Sequence, residues 1–185
     1  MISKIAILTE AYKFSAIKHT KQRRKGKLDI PYINHPIEVA NILSHAEPDE
    51  DTILLAAAVL HDTIEDTDTS YEELIGVFGS EIADLVMEVT DDMSLSSKKR
   101  KEIQFEKARG LSIKAKKIRI ADKICNVLDI IQTRYHWTTR QKLEYITWAS
   151  NVVDKCRGTN EILEKEFDKA LMLASSLIGW TKEQD

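Results

Sequence analysis

Residues 53–66 read ILLAAAVLHDTIED, eight apolar residues followed at once by a cluster of ionisable ones. A helix that is apolar all round has no solvent face, so this segment is expected at the centre of the fold, with Asp49 as its cap and its end near His61 and Asp62. Ionisable groups at the edge of a core are costly unless paired or metal-bound. An adjacent His-Asp pair offers one nitrogen and one oxygen ligand to a divalent cation. From spacing alone, a helix end turning into solvent accounts for the same residues equally well.

Apolar residues on either side recur at helical spacing, and six Gly and three Pro in 185 residues leave few breaks. The first helix is expected over about residues 3–19, with Ile5, Leu8, Tyr12 and Ala16 on one stripe. Pro36 suits a first helical position, with His35 half in. Ser70 and Glu73 have the form of a capping box for a helix to about Phe78. Gly79 breaks that helix, and Ser80 starts another to Val89. Residues 91–97 read as a loop. Further helices are expected over about 98–109, 112–131, 138–157 and 160–178. With no sustained strand alternation, repeat or linker, the expectation is all-α: one compact domain over 1–185 with about eight to ten helices.

Composition excludes several classes. Hydrophobic residues are 43% and charged residues 31%, as in a globular protein. The eight-residue apolar run falls far short of the roughly 18–20 that a membrane span needs. Lys4 and Glu10 interrupt any secretory signal, and the two cysteines, Cys125 and Cys156, form neither a disulfide scaffold nor a metal motif. A cytoplasmic location is the expectation. The net charge of −3 argues against a nucleic-acid binder. There is no P-loop, no G-x-G-x-x-G and no nucleophile elbow.

Three further constellations stand out. His35 in PYINHP is either a ligand or a helix cap. Asp122, Asn126 and Asp129 share one narrow face of IRIADKICNVLDII, which fits a site or a solvated edge. Basic residues cluster at 18–27 and 98–119, and the triplet Arg23-Arg24-Lys25 stands closest in sequence to His35. Such clusters suit a polyanion, although a charge run is more often a solvated face.

Taken together, PYINHP, AAAVLHDTIEDT, EELIGVFG and IRIADKICN, in that order, resemble the hydrolase half of the RelA/SpoT proteins, which are HD-domain metal-dependent phosphohydrolases. The similarity runs over about 20–159 and is greatest to the stand-alone small alarmone hydrolases, with no length left for synthetase or regulatory domains. It implies metal ligation by His35, His61, Asp62 and Asp122, with Mn²⁺ the expected ion. It implies Glu65 and Asp66 as the catalytic acidic pair, and Arg24, Lys25, Tyr32 and Asn126 as substrate-binding residues. The implied reaction is hydrolysis of the 3′-pyrophosphate of (p)ppGpp to GDP or GTP and pyrophosphate. The small-molecule partner is a guanine nucleotide; no nucleic acid or membrane is expected, and the oligomeric state is open.

The alternative substrate is another phosphate ester, such as the 2′-phosphate of NADPH. A binding module without catalysis would require a damaged site, and all six ligands and acids are intact. The resemblance departs at Gln141, where the small hydrolases usually carry Arg, with Arg140 or Lys142 as neighbours able to substitute. The 93–99 loop also differs in its charges. Lys123, beside Asp122, points about 100° away on the helical wheel and is left out of the expected site.

Overall fold

The structure is a computed structural model and describes residues 3–24, 29–47, 51–132 and 137–182. Among these it contains ten α-helices and one short 3₁₀ turn, as the helical periodicity requires. In chain order the helices are α1 (Lys4–Lys18), α2 (Asn34–Ala46), α3 (Thr52–Leu60), α4 (Thr63–Asp66) and α5 (Tyr71–Phe78). They continue with α6 (Ser80–Val89), α7 (Ser97–Lys107), the 3₁₀ turn (Ala108–Gly110), α8 (Ile113–Ile131), α9 (Thr139–Asp154) and α10 (Glu161–Ile178).

Side-chain caps set most of the helix starts. Ser3, Asp51, Ser70, Ser96, Ser112, Thr138 and Asn160 each accept a backbone N–H from the first turn of the following helix. Two starts differ from the sequence expectation. Asp51, not Asp49, caps α3, taking the Leu54 N–H at 3.0 Å; Asp49 lies outside the described residues. In α2 the helix begins at Asn34 and its half-in residue is Ile33, so His35 is helical and Pro36 is the third residue. Pro36 is tolerated there because the first-turn N–H groups have no intrahelical partner to lose. Gly79 breaks α5 from α6 at φ 83°, a conformation that a side chain disfavours.

Helix α3 occupies the centre. Seven of its nine residues are buried, and it packs against α1, α2, α6 and α8. Ala56, Ala57 and Ala58 are fully buried, small enough for neighbouring backbones to approach closely. Helix α8, the second axis, packs on α2, α6, α9 and α10. Buried side chains from α1, α2, α3, α5, α6, α8, α9 and α10 join in one continuous hydrophobic cluster. None of the described helices is long and apolar enough to cross a membrane.

Between α1 and α2, residues 22–24 pair with residues 30–32. Arg24 N–H donates to Ile30 O at 2.9 Å and Tyr32 N–H to Gln22 O at 3.1 Å, with a single antiparallel bridge between Arg23 and Pro31. This brings Arg24 and Tyr32 to the end of α3, where the ionisable cluster lies.

Candidate metal centre

His61 follows the last residue of α3, Asp62 precedes α4, His35 lies in the first turn of α2 and Asp122 in the middle of α8. Donor atoms of His35, His61 and Asp62 all lie within 4.8 Å of one another. His61 Nε2 is 3.1 Å and His35 Nε2 3.6 Å from Asp62 Oδ2. Asp122 closes the group from α8, its Oδ1 at 3.2 Å from His35 Nε2 and 4.0 Å from His61 Nε2. A solvated helix edge is therefore the wrong description of Asp122, which is only 6% exposed.

The donor chemistry fits a divalent cation. His61 Nδ1 lies 2.7 Å from Ala58 O, and a carbonyl only accepts, so Nδ1 carries the proton. Nε2 then faces the carboxylates, buried and without a hydrogen-bond partner. A second polar contact that fixes the ring while freeing the other nitrogen is characteristic of metal-binding histidines. Burial favours the neutral imidazole, but Asp62 and Asp122 outweigh it and push His61 up to about 9. One buried and one partly buried carboxylate facing two imidazoles need about two positive charges, which two protons or one divalent ion can supply. Oxygen and nitrogen donors without thiolate suit a hard or borderline ion.

Around this centre lies a cleft of about 320 Å³. Tyr32 Oη donates to Asp62 Oδ2 at 2.7 Å and Asn126 Nδ2 to Asp122 Oδ1 at 2.6 Å. Arg24 reaches across from the α1–α2 connection: its Nε donates to Asp129 Oδ2 at 3.0 Å and its Nη2 to Asn126 Oδ1 at 3.2 Å. The guanidinium also sits 5.6 Å from the centre of the Tyr32 ring. Asp129 thus anchors Arg24, a partnership that helix periodicity could not show.

Glu65 and Asp66 both line the cleft but differ in setting. Glu65 is half-buried, and burial, with the charges of Asp62 and Asp91, raises its carboxyl to about 7 against a hydrogen bond from the Asp91 N–H. Asp66 is exposed and accepts from Gln22 Nε2 at 2.8 Å. Lys25 lies outside the described residues.

Several cleft residues escape the sequence reading. Lys123 is brought inward after all: its ammonium is 2.9 Å from Asp122 Oδ2, because a four-carbon stem can double back across 100° of helix. Arg100, Gln104, Arg119 and Tyr145 arrive from α7, α8 and α9. Gln141 is occupied otherwise, closing the capping box at the start of α9, and Arg140 is 89% exposed on Glu144. Neither is among the residues lining the cleft. The two larger hollows, about 930 and 750 Å³, contain none of His35, His61, Asp62 and Asp122.

Residues 11–147 match the HD-domain family. The chain belongs to the HD-domain family. This HD domain is 47% identical over 173 residues to guanosine-3′,5′-bis(diphosphate) 3′-pyrophosphohydrolase MESH1 of Xenopus tropicalis, covering 93% of this chain and 97% of the relative. It is 46% identical over 166 residues to the Homo sapiens protein of the same name, covering 89% and 93%. A solved structure described as a metazoan ortholog of SpoT that hydrolyses ppGpp superposes with a TM-score of 0.87 at 42% identity, covering 93% of this chain and 96% of that one.

Proposed function

We propose that this HD domain hydrolyses the 3′-pyrophosphate of guanosine-3′,5′-bis(diphosphate) alarmones, giving GDP or GTP and pyrophosphate. The observation that carries the reading is the cluster of two imidazoles and two carboxylates in a cleft, in a chain similar over nearly its whole length to proteins named for that reaction. No observation favours the 2′-phosphate of NADPH over this substrate.

His35, His61, Asp62 and Asp122 would hold one divalent ion, with Mn²⁺ the proposed ion, which the donor set fits along with other divalent ions. Such an ion, when bound, acidifies water and offsets phosphate charge. The protein's own groups supply the rest. Glu65, with its carboxyl raised to about 7, is poised near neutrality to take a proton from the attacking water. Asp66, anchored by Gln22, orients that water. Water oxygen bonds to the inner phosphorus as the bond from that phosphorus to ribose O3′ breaks, releasing pyrophosphate. One proton passes to Glu65, and O3′ leaves with a proton from solvent. Arg24, supported by Asp129 and Asn126, offers its planar face with Tyr32 to the guanine. Lys25, next in sequence, is assigned to the phosphates.

The test is release of pyrophosphate and GDP from ppGpp by purified protein, with Mn²⁺ and again with a chelator. Metal-dependent release is expected. No release from metal-loaded protein would overturn the substrate and move the reading to other phosphate esters.

A further inference from the structure

Lys123 has surroundings that the roles above leave unexplained. It is 3% exposed, in the middle of α8, yet it lines the cleft. Buried ammonium groups are rare and costly unless compensated. Among the described residues, Asp122 is its one carboxylate partner within 4 Å, through Oδ2 at 2.9 Å. The other oxygen of Asp122, Oδ1, faces His35 and His61.

The charge balance is uneven. Asp62 and Asp122 together carry two negative charges, which one divalent cation offsets in full. The carboxylates that remain in the cleft lining, Glu65 and Asp66, are then outnumbered by Lys123, Arg24, Arg100 and Arg119. A second cation makes this worse: Lys101 Nζ lies 5.1 Å from the centre of the Trp148 ring, and Lys123 Nζ 4.7 Å from the same ring. Trp148 is itself fixed, donating from Nε1 to Lys101 O at 3.1 Å. The indole and Asp122 therefore hold the ammonium in place, with one N–H used by Asp122, in a side chain that lines the cleft. A preorganised positive charge beside a metal centre is suited to an anion that arrives with the substrate.

We propose that Lys123 is a catalytic residue whose ammonium contacts the phosphoryl group being transferred, in addition to steadying Asp122. The proposal rests on the phosphohydrolase reading and names a further group at that same centre. No proton transfer is required of it: the ammonium stays charged and stabilises the negative charge that develops on the phosphoryl oxygens.

The test compares Lys123→Gln, which keeps a donor for Asp122 and removes the charge, with Lys123→Arg, which keeps the charge. Bound Mn²⁺ per chain, steady-state kinetics on ppGpp and the affinity of Mn²⁺-loaded protein for inorganic pyrophosphate are measured for each. The expectation for Lys123→Gln is full metal occupancy, a kcat lower by about 100-fold and pyrophosphate binding weaker by about 10-fold. Lys123→Arg should recover part of both losses. Unchanged kcat and pyrophosphate affinity in Lys123→Gln, or loss of Mn²⁺ from it, would overturn the proposal and leave Lys123 as a support for Asp122 alone. Lys123→Met, read in the same way, replaces Lys123→Gln if that variant does not fold. If wild-type protein does not hydrolyse ppGpp, the substrate reading fails, and the pyrophosphate comparison still decides the role of Lys123.

Discussion

The imidazole of His61 donates through Nδ1 to the carbonyl oxygen of Ala58, 2.7 Å away and one turn earlier in the chain. That bond fixes both the tautomer and the ring plane, and directs Nε2 toward Asp62 and Asp122. The core helix thus orients the nitrogen that faces the two carboxylates with its own last turn. His61→Asn should lower Mn²⁺ affinity by at least about 10-fold while far-UV circular dichroism stays helical. Mn²⁺ at 100 times its dissociation constant should stabilise the wild type by about 2.7 kcal/mol in thermal unfolding, and the variant far less. Equal stabilisation of both proteins would remove His61 from the ligand set.

Glu65 should set the acidic limb of the rate profile. A proton acceptor must be deprotonated, so kcat/KM should rise as pH passes through about 7, and Glu65→Gln should keep the metal but lose most turnover. Asp91→Asn removes a charge that raises the Glu65 carboxyl, so the limb should move to lower pH. A limb unmoved in that variant would assign it to another group.

The same carboxyl has a stability consequence of defined sign. Its folded-state value of about 7 lies above the ordinary 4.5, so between those values the folded state binds more protons and stability falls as pH rises. Its favourable contribution is complete below about 4.5 and lost through about 7. Glu65→Gln should therefore melt higher than wild type at pH 8, and near it at pH 4.5. A variant melting lower at pH 8 would mean that the hydrogen bond from Asp91 outweighs burial.

Asp51 holds the start of the core helix, accepting from the Leu54 N–H and pairing with Lys114 at 2.9 Å. Burial raises its carboxyl, but Lys114 and the backbone N–H groups together carry it below the ordinary 3.8. Its stabilisation is thus present at neutral pH and lost as pH falls below that range. Asp51→Ala should cost about 1–2 kcal/mol in urea unfolding at pH 7, and less in acid. An equal cost at both pH values would rule out the charged cap as the cause.

Asp129 anchors Arg24 without lining the cleft, so Asp129→Asn should act mainly on binding. The expected outcome is a higher KM for ppGpp with kcat within about 3-fold of wild type, since a neutral amide holds the guanidinium less firmly. A fall in kcat at constant KM would place Asp129 in the chemical step.

The fold class and most helix boundaries are legible in the chain itself, because caps and periodicity are local. Ser70, Gly79, Ser112 and Asn160 announce their ends wherever the helices go. His61 and Asp62 were readable as a pair because they are adjacent and follow an apolar run. Spacing left open whether they turn into solvent; the packing of α2 and α8 on α3 brings His35 and Asp122 to them. The inward turn of Lys123, the Asp129 anchor on Arg24 and the raised carboxyl of Glu65 depend on contacts between residues distant in sequence, or on burial. Local spacing specifies helices and their faces; the charge balance of the cleft exists only once those faces meet and water is excluded.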